Sequence, residues 1–303
     1  MDDSSQPARQ DLIMKPLYNR LQEARKRLGL PWEVLERDYL LSWILAGINH
    51  IPILRDTLVF KGGTALKKCY FGDYRFSEDL DFTAVGHFPT GNDMESAMQA
   101  ACLKAVELLD TFAPVDIVCE RHVEREAHPN QQESFDIRAR FAWHHNLQTH
   151  VMVEISVDEK LLRPRVVRDV LHDYGEPLDA KISVYSLEEI VVEKLRAILQ
   201  HYRTLQRRGW TRSRARDYYD LWRILSAHGD FLNLSNFHEF LKEKCTHRQV
   251  VFTDTASFFP EVMLTDIEKT WDQWLGPLVP QLPSYKRVIH ELLPQINKIL
   301  EKN

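Results

Sequence analysis

Two carboxylates one residue apart follow a pair of glycines, and this combination could support metal-assisted chemistry on a phosphate compound. The carboxylates are Asp79 and Asp81, and the glycines are Gly62 and Gly63. Side chains two residues apart on a strand emerge on one face, about 6.5–7 Å apart along the backbone. Carboxylates so spaced can share Mg²⁺ ions that activate an attacking hydroxyl and neutralise a leaving pyrophosphate. We therefore expect Asp79 and Asp81 to bind Mg²⁺ in a two-metal site.

The glycines belong to the run Lys61-Gly62-Gly63-Thr64, which could form a phosphate-binding loop. It follows the apolar residues 58–60, which predict a short buried strand, and precedes residues 65–70, which have helical character. Glycine allows a close backbone approach that a Cβ would obstruct, and a helix N-terminus favours anions. We expect these four residues to bind nucleotide phosphates. Either feature alone would favour an ordinary turn and a solvated strand face.

Two polar residues come shortly before the acidic pair. Arg75 and Ser77 could contact the nucleotide phosphates, or they could hold the loop through hydrogen bonds to backbone. The sequence leaves both roles open. Because the Ser77 hydroxyl lies so near a possible transfer centre, its covalent modification is a further hypothesis.

The run Phe-Lys-Gly-Gly-Thr-Ala-Leu at residues 60–66, followed by Arg-Phe-Ser-Glu-Asp-Leu-Asp-Phe at 75–82, resembles the AbiEii/AbiGii toxin family. These are nucleotidyltransferase-like proteins of type IV toxin–antitoxin systems, within the DNA polymerase beta-like nucleotidyltransferase superfamily. Residues 189–197 look like the family's helical Lys motif, and residues 216–221 look like its Arg-Asp motif. The motifs keep the family's order, and no motif is recognised beyond about residue 225.

The resemblance implies an α/β (α+β) fold, with a polymerase beta-like nucleotidyltransferase lobe containing a mixed sheet and a mostly helical C-terminal lobe. It also implies a reaction that uses an NTP and releases pyrophosphate. By analogy the acceptor is the 3′ end of a tRNA, the effect is blocked translation and growth, and a cognate antitoxin is encoded nearby. These substrate and partner expectations rest on the resemblance alone.

Three further residues are candidates for the site. Lys194 lies on a helix face that is otherwise apolar, so its ammonium could point at a phosphate, although solvent exposure is the alternative. Asp217 could cap a helix or orient Lys194, and the resemblance assigns it to the active site. Glu154 lies on a predicted strand; superfamily sites commonly add such a third carboxylate, which could bind metal or accept a proton. A solvent-facing glutamate is the alternative for Glu154.

A cationic strip joins the last two motifs. It could be a solvated helix and loop, or a surface for the triphosphate and an RNA backbone, with Tyr202 and Trp210 stacking on bases. We expect Arg196 to contact the nucleotide. The strip contains no carboxylate between its ends and comprises Lys194, Arg196, Arg203, Arg207, Arg208, Arg212, Arg214 and Arg216.

Apolar periodicity predicts the elements that position these residues. We predict helices over 12–28, 32–49 and 92–109, strands over 115–119, 134–143 and 149–157, and a helix that opens at the capping residue Ser186. Residues 164–180 show little regular pattern beyond a short helix. We place a domain boundary there, between a nucleotidyltransferase-like lobe with N-terminal helices (1–180) and a helical lobe carrying the Lys and Arg-Asp motifs (181–303). Amphipathic stretches at 237–244, 263–275 and 285–300 continue the second lobe.

Composition narrows the class of protein. A chain of 303 residues with 44% hydrophobic residues can bury a large core. Its four scattered cysteines predict no disulfide, and the lack of a signal-like or long apolar stretch predicts a cytoplasmic protein without a membrane span. The net charge of −5 argues against coating nucleic acid with the whole surface. No Walker, Rossmann or Gly-x-Ser-x-Gly motif occurs, and His144, His145 and His150 match no zinc template.

Two other functions remain open at this point. One is a nucleotidyltransferase that modifies a small molecule or a protein. The other is a nucleotide-binding interaction protein without turnover, whose effect would survive loss of Asp79 or Asp81.

Overall fold

A seven-stranded mixed sheet organises the molecule, in a computed structural model that describes residues 14–122, 132–209 and 212–301. The strand order is β3-β4-β5-β2-β1-β7-β6. The pairs β2–β5 and β1–β7 are parallel and the others are antiparallel. The strands are β1 (Leu58–Lys61), β2 (Leu80–Ala84), β3 (Val115–Arg121), β4 (Gln132–Phe141), β5 (Thr149–Ser156), β6 (Val166–Asp169) and β7 (Lys181–Val184).

Helices cover both faces of this sheet. A π-helical turn, Leu66–Tyr70, continues the short helix α4, and a 3₁₀ turn, Thr255–Phe258, precedes α9. The helices are α1 (Leu17–Leu28), α2 (Trp32–His50), α3 (Pro52–Thr57), α4 (Gly62–Ala65), α5 (Asn92–Leu109), α6 (Leu187–Arg208), α7 (Ala215–His228), α8 (Phe237–His247), α9 (Glu261–Leu275) and α10 (Tyr285–Glu301). The predicted mixed α/β fold with a helical C-terminal part is confirmed.

One face of the sheet is apolar and packs against the N-terminal helices. Strand side chains alternate between faces, so Leu58, Phe60, Leu80 and Phe82 all point to one side and are buried. They join residues of α1, α2 and α5 in a first hydrophobic core. The polar residues between them, including Asp81, must therefore lie on the opposite face.

A second hydrophobic core lies on that opposite face. It combines Val59 and Tyr185 with apolar residues of α6 to α10. Helix α6 begins where predicted, since the Ser186 hydroxyl accepts a hydrogen bond from the Glu189 amide at 3.2 Å. Its residues Val191 and Leu195 are buried in this core, which fixes the direction of the polar side chains on the remaining α6 face.

The sequence missed the strand β6. We predict little regular structure beyond a short helix over residues 164–180, yet no helix forms there and β6 pairs with β7 over Val166–Asp169. It is a short strand at the edge of the sheet and its side chains are largely exposed, so it lacks the apolar alternation that identifies a strand. The sheet also continues through β7 beyond residue 180, while the predicted two-lobe division stays a prediction.

All four cysteines, Cys69, Cys102, Cys119 and Cys245, are buried free thiols. Over the ranges that the structure describes, no helix combines the length and the apolar character needed to cross a membrane. The start of the predicted helix 12–28 lies partly outside the described residues, and the helix observed begins at Leu17.

Candidate functional site

Strand register brings three charged side chains together beside the glycine loop. Asp81 of β2 is paired with Lys61 of β1 on one side and with Glu154 of β5 on the other. Paired residues on neighbouring strands share a face of the sheet. Asp79 directly precedes the first residue of β2 and is exposed. The two parts of the predicted site, the acidic pair and the glycines, therefore lie next to each other.

The carboxylates repel one another. Burial, and then the charge of Glu154, raise the pKa of Asp81 to about 7, against the opposing effects of Lys61 and Lys194. The pKa of Asp79 is also raised, first by desolvation and then by Glu78 and Glu154. Burial and the neighbouring carboxylates together outweigh the cations that oppose these shifts. A bound cation would relieve this repulsion.

The donor set fits Mg²⁺ in its chemistry. Among the described residues no cluster of three or more His, Cys, Asp or Glu side chains has the arrangement of a complete metal cage. Mg²⁺ does not need one, since it usually keeps several waters and binds one or two carboxylates together with substrate phosphates. Asp81 and Glu154, side by side on paired strands, with Asp79 close by, can supply those oxygens.

Both glycines of the loop are required by their neighbours. Gly62 has φ +79°, and a Cβ there would lie 3.2 Å from Cγ of Asp81 and closer still to its Oδ2. A Cβ on Gly63 would lie 3.0 Å from Cζ of Arg75. The hydroxyl of Thr64 donates to the Asp79 carbonyl at 2.5 Å, which ties the loop to the start of β2. A phosphate would therefore meet the Thr64 backbone amide rather than its hydroxyl.

A buried ion-pair network lies behind the loop and joins it to α6 and α7. Lys194 lies 3.0 Å from Oδ1 of Asp217 and 2.6 Å from Oδ2 of Asp220. Asp220 also accepts two hydrogen bonds from Arg75, at 2.6 and 2.7 Å, and one from Tyr74, at 2.6 Å. Two cations and two carboxylates thus balance each other away from solvent.

The network keeps its members charged. Burial lowers the pKa of Lys194, but Asp220 and Asp217 more than offset this, so the pKa lies above its usual value. Burial raises the pKa of Asp217, and Lys194 and Arg214 more than reverse that effect. Of the two roles considered for Asp217, the observed contact with Lys194 supports orientation, since its side chain makes no helix-capping bond.

Arg75 and Ser77 belong to the frame of the loop. The Arg75 guanidinium is 3% exposed and is held by Asp220 and the Phe76 carbonyl. It therefore braces Gly63, which is the second of the two roles considered, and nothing in these contacts directs it at a nucleotide. Ser77 is also buried. Its modification stays a hypothesis.

A cavity of about 470 Å³ opens between this corner of the sheet and α6. Its remaining lining includes Arg214 of the cationic strip, and Tyr185, Glu193 and Gln200, which the sequence analysis did not single out as site residues. A larger cavity of about 900 Å³ lies between α1, α7 and residues 279–283, and none of the predicted site residues lines it. We therefore place the site in the smaller cavity, whose walls include the predicted residues Lys61, Gly62, Asp81, Glu154, Lys194, Arg196 and Asp217.

The cationic strip divides into two parts. Its buried and half-buried arginines are already paired: Arg196 lies 2.8 Å from Glu193, Arg214 lies 3.2 Å from Asp217, and Arg216 lies 3.0 Å from Glu78. The predicted stacking residue Tyr202 packs partly buried against the second core, and Trp210 lies outside the described residues. The exposed part comprises Arg203, Arg207, Arg208 and Arg212.

Comparison with known proteins bears on the family and the fold of the chain. A family model described as "Nucleotidyl transferase AbiEii toxin, Type IV TA system" matches residues 43–302. Among solved structures, the chain is similar to the nucleotidyltransferase toxin MenT4 of Mycobacterium tuberculosis, with 17% sequence identity and a TM-score of 0.58. That likeness covers 95% of this chain and 89% of the other, and it concerns the fold. No protein with a curated description matches.

Proposed function

Because the chain belongs to the AbiEii family of nucleotidyltransferase toxins, we propose that its cavity binds an NTP and transfers the nucleotide to an acceptor hydroxyl. The observation that carries this proposal is the strand register, which sets Asp81 between Lys61 and Glu154 and against Gly62. In the reaction the acceptor oxygen bonds to the α-phosphorus and the bond to pyrophosphate breaks.

The triphosphate would lie along the glycine loop and the cationic wall of the cavity. The amides of Gly62, Gly63 and Thr64 begin α4, where helical amides have no partner within the helix. Lys61 directly precedes these glycines, and its ammonium donates a hydrogen bond to the Ser156 hydroxyl at 3.0 Å. Arg196 reaches the cavity from α6. These groups would hold the phosphates by charge-assisted hydrogen bonds.

Asp79, Asp81 and Glu154 would hold Mg²⁺. When bound, the metal supplies activation of the acceptor hydroxyl and neutralisation of charge on the leaving pyrophosphate. Glu154 would also accept the proton of that hydroxyl. Lys194, oriented by Asp217 and Asp220, would balance the negative charge that develops on the phosphates.

We propose the 3′ end of a tRNA as the acceptor, in the cytoplasm, with inhibited translation and arrested growth as the result. The exposed arginines beyond the cavity, Arg203, Arg207, Arg208 and Arg212, support a polyanionic acceptor. Membership of a type IV toxin–antitoxin family supports an antitoxin as the physiological partner.

Incubation with each α-labelled NTP, Mg²⁺ and total cellular extract tests the proposal. We expect label in the tRNA fraction, and we expect Asp81→Asn to abolish both labelling and growth arrest. Label in protein or small molecules instead would favour another nucleotidyltransferase substrate. Growth arrest that persists in Asp79→Asn and Asp81→Asn would favour a binding protein without turnover.

A further inference from the structure

A lysine of α8 lies buried among three carboxylates next to the cavity. The ammonium of Lys244 is 2.8 Å from a carboxylate oxygen of Glu189, 2.7 Å from one of Glu193 and 3.5 Å from one of Glu159. Lys244 is 1% exposed, and it also donates to the Lys160 carbonyl. Such a lysine is costly to bury unless its charge is matched.

Two of these carboxylates also face cations of the cavity wall. Glu193 lies 2.8 Å from Arg196, and Glu159 lies 2.9 Å from Arg248. Glu159, Glu193, Arg196 and Arg248 all line the cavity, whereas Lys244 and Glu189 are behind it. Lys244 therefore neutralises carboxylates that also interact with Arg196, and in this way it affects the electrostatic potential of the cavity.

The charge balance shows what Lys244 offsets. Burial raises the pKa of Glu193, but Arg196, Lys244 and Lys61, in that order, more than reverse the rise. Glu193 thus interacts with both cations that we assign to the triphosphate. Without Lys244, only Arg196, Arg248 and Lys61 would offset the negative charge of Glu159, Glu189 and Glu193. The positive electrostatic potential that attracts phosphates into the cavity would then decrease.

We propose that Lys244 is a positioning residue for the nucleotide: it neutralises the carboxylates behind the cavity, so that Arg196 and Lys61 stay available to the triphosphate. The inference rests on the proposed function for the identity of the ligand. Lys244 touches neither the ligand nor the metal site, so its effect should fall on NTP affinity and leave the chemical step largely unchanged.

Binding of inorganic tripolyphosphate, measured by calorimetry in Mg²⁺ buffer, tests this without knowledge of the base or the acceptor. We expect Lys244→Met to weaken binding about tenfold, the effect of losing one unit charge within about 10 Å at an effective dielectric constant of about 20. In turnover assays the KM for NTP should rise about tenfold while kcat changes less than about threefold. Lys242→Met, which removes a 64% exposed lysine of the same helix, should bind like the wild type.

Two further variants separate charge from packing. Glu189→Gln, which removes one negative charge and keeps Lys244, should bind tripolyphosphate about threefold more tightly than the wild type. The double variant Lys244→Met/Glu189→Gln should bind about threefold more weakly than the wild type, because restoring the net charge offsets about half of the free energy lost with Lys244. Circular dichroism establishes that each variant is folded; if Lys244→Met does not fold, the Glu189→Gln result and the balanced double variant carry the test.

The outcomes distinguish the inference from the proposed function. Equal affinity in the wild type, Lys244→Met and Glu189→Gln would overturn the inference alone. A wild-type protein that binds tripolyphosphate but transfers no nucleotide would overturn the proposed function and leave the role of Lys244 standing. A wild-type protein that does not bind tripolyphosphate would overturn both.

Discussion

Asp81 lies between two charged residues on neighbouring strands. Burial and Glu154 raise the pKa of Asp81, and Lys61 lowers it. Its pKa of about 7 in the fold exceeds the usual value of 3.8, so folding favours the protonated acid. The stabilisation from this shift is complete below about pH 4 and is lost as the pH rises through 7. At pH 8 the ionised group therefore opposes folding.

Replacing Asp81 by Asn should consequently abolish activity and yet stabilise the metal-free protein at pH 8. We expect a gain of roughly 1–3 kcal/mol in the free energy of unfolding by urea in EDTA, shrinking toward zero near pH 4. Asp116→Asn, at an exposed strand position, serves as control. A variant no more stable than the wild type at pH 8 would contradict the assigned pKa.

Gly62 should tolerate no side chain, for two separate reasons. Its positive φ costs a residue with a Cβ about 1–2 kcal/mol, and the Cβ would also press on the Asp81 carboxylate. We expect Gly62→Ala to lose stability together with at least about a hundredfold in activity. Gly29→Ala is the matched control, because Gly29 has φ +68° with open space around it. Its stability should fall in the same range while its activity persists.

The residues that could be predicted from the sequence were those whose spacing is local. Asp79, Asp81 and the two glycines belong to short runs, and alternation along β2 is enough to place Asp81 on the face opposite Leu80 and Phe82. That Arg75 and Lys194 share Asp220 as a partner could not be predicted. Asp220 belongs to α7, 145 residues after Arg75 in the sequence. Pairing across such distances depends on the packing of whole elements.

One carboxylate of α7 bridges helix α6 and the loop before β2. Asp220 pairs with Lys194 of α6 and with Arg75 of the loop, and it is fully buried. We expect Asp220→Asn to destabilise the protein by about 3–5 kcal/mol, because two buried cations lose their shared partner. Urea denaturation measures this. Asp230→Asn, at an 89% exposed position, should change stability by less than about 0.5 kcal/mol.

A small effect of Asp220→Asn would show that the network does not hold these elements together. The pKa of Asp220 is lowered in the fold, where Arg75 and Lys194 outweigh the effect of burial. Its contribution to stability is therefore present above its ordinary pKa and is lost as the solution is acidified.

Some elements could not be predicted from the chain because they lack a local signal. Strand β6 borders only β7 and leaves Val167, Arg168 and Asp169 exposed, so its composition is that of a loop. Helix α8 was predicted from its amphipathic pattern, but it carries no recognisable motif that would assign a role to Lys244, although the matched family region extends through it. Strand β5, by contrast, has fully buried side chains at every second position and could be predicted from that alternation. The four-residue strand β7, between β1 and β6, was not predicted.

At the scale of the whole molecule, the exposed arginines of the cationic strip lie beyond the cavity, toward and just past the C-terminal end of α6. If they guide the acceptor, Arg207→Glu/Arg208→Glu should reduce labelling of tRNA by about tenfold or more while tripolyphosphate binding stays unchanged. The dependence of labelling on salt concentration should also become weaker, since fewer phosphates would be neutralised.

Lys286→Glu/Lys298→Glu makes the same change of charge on exposed positions of α10 and should leave tRNA labelling intact. If this pair and the arginine pair reduced labelling equally, the net charge of the protein would be the cause and no specific acceptor path would be needed.

Helix α6 has one side in the second core, through Val191 and Leu195, and presents Lys194 and Arg196 to the cavity on another. Successive residues of an α-helix are rotated by about 100° around the helix axis. A one-residue deletion or insertion in α6 before Lys194 would thus rotate both cations away from the cavity or turn apolar side chains toward it. We therefore expect natural relatives to have no insertions or deletions within the first two turns of α6 and to differ in length only after residue 205.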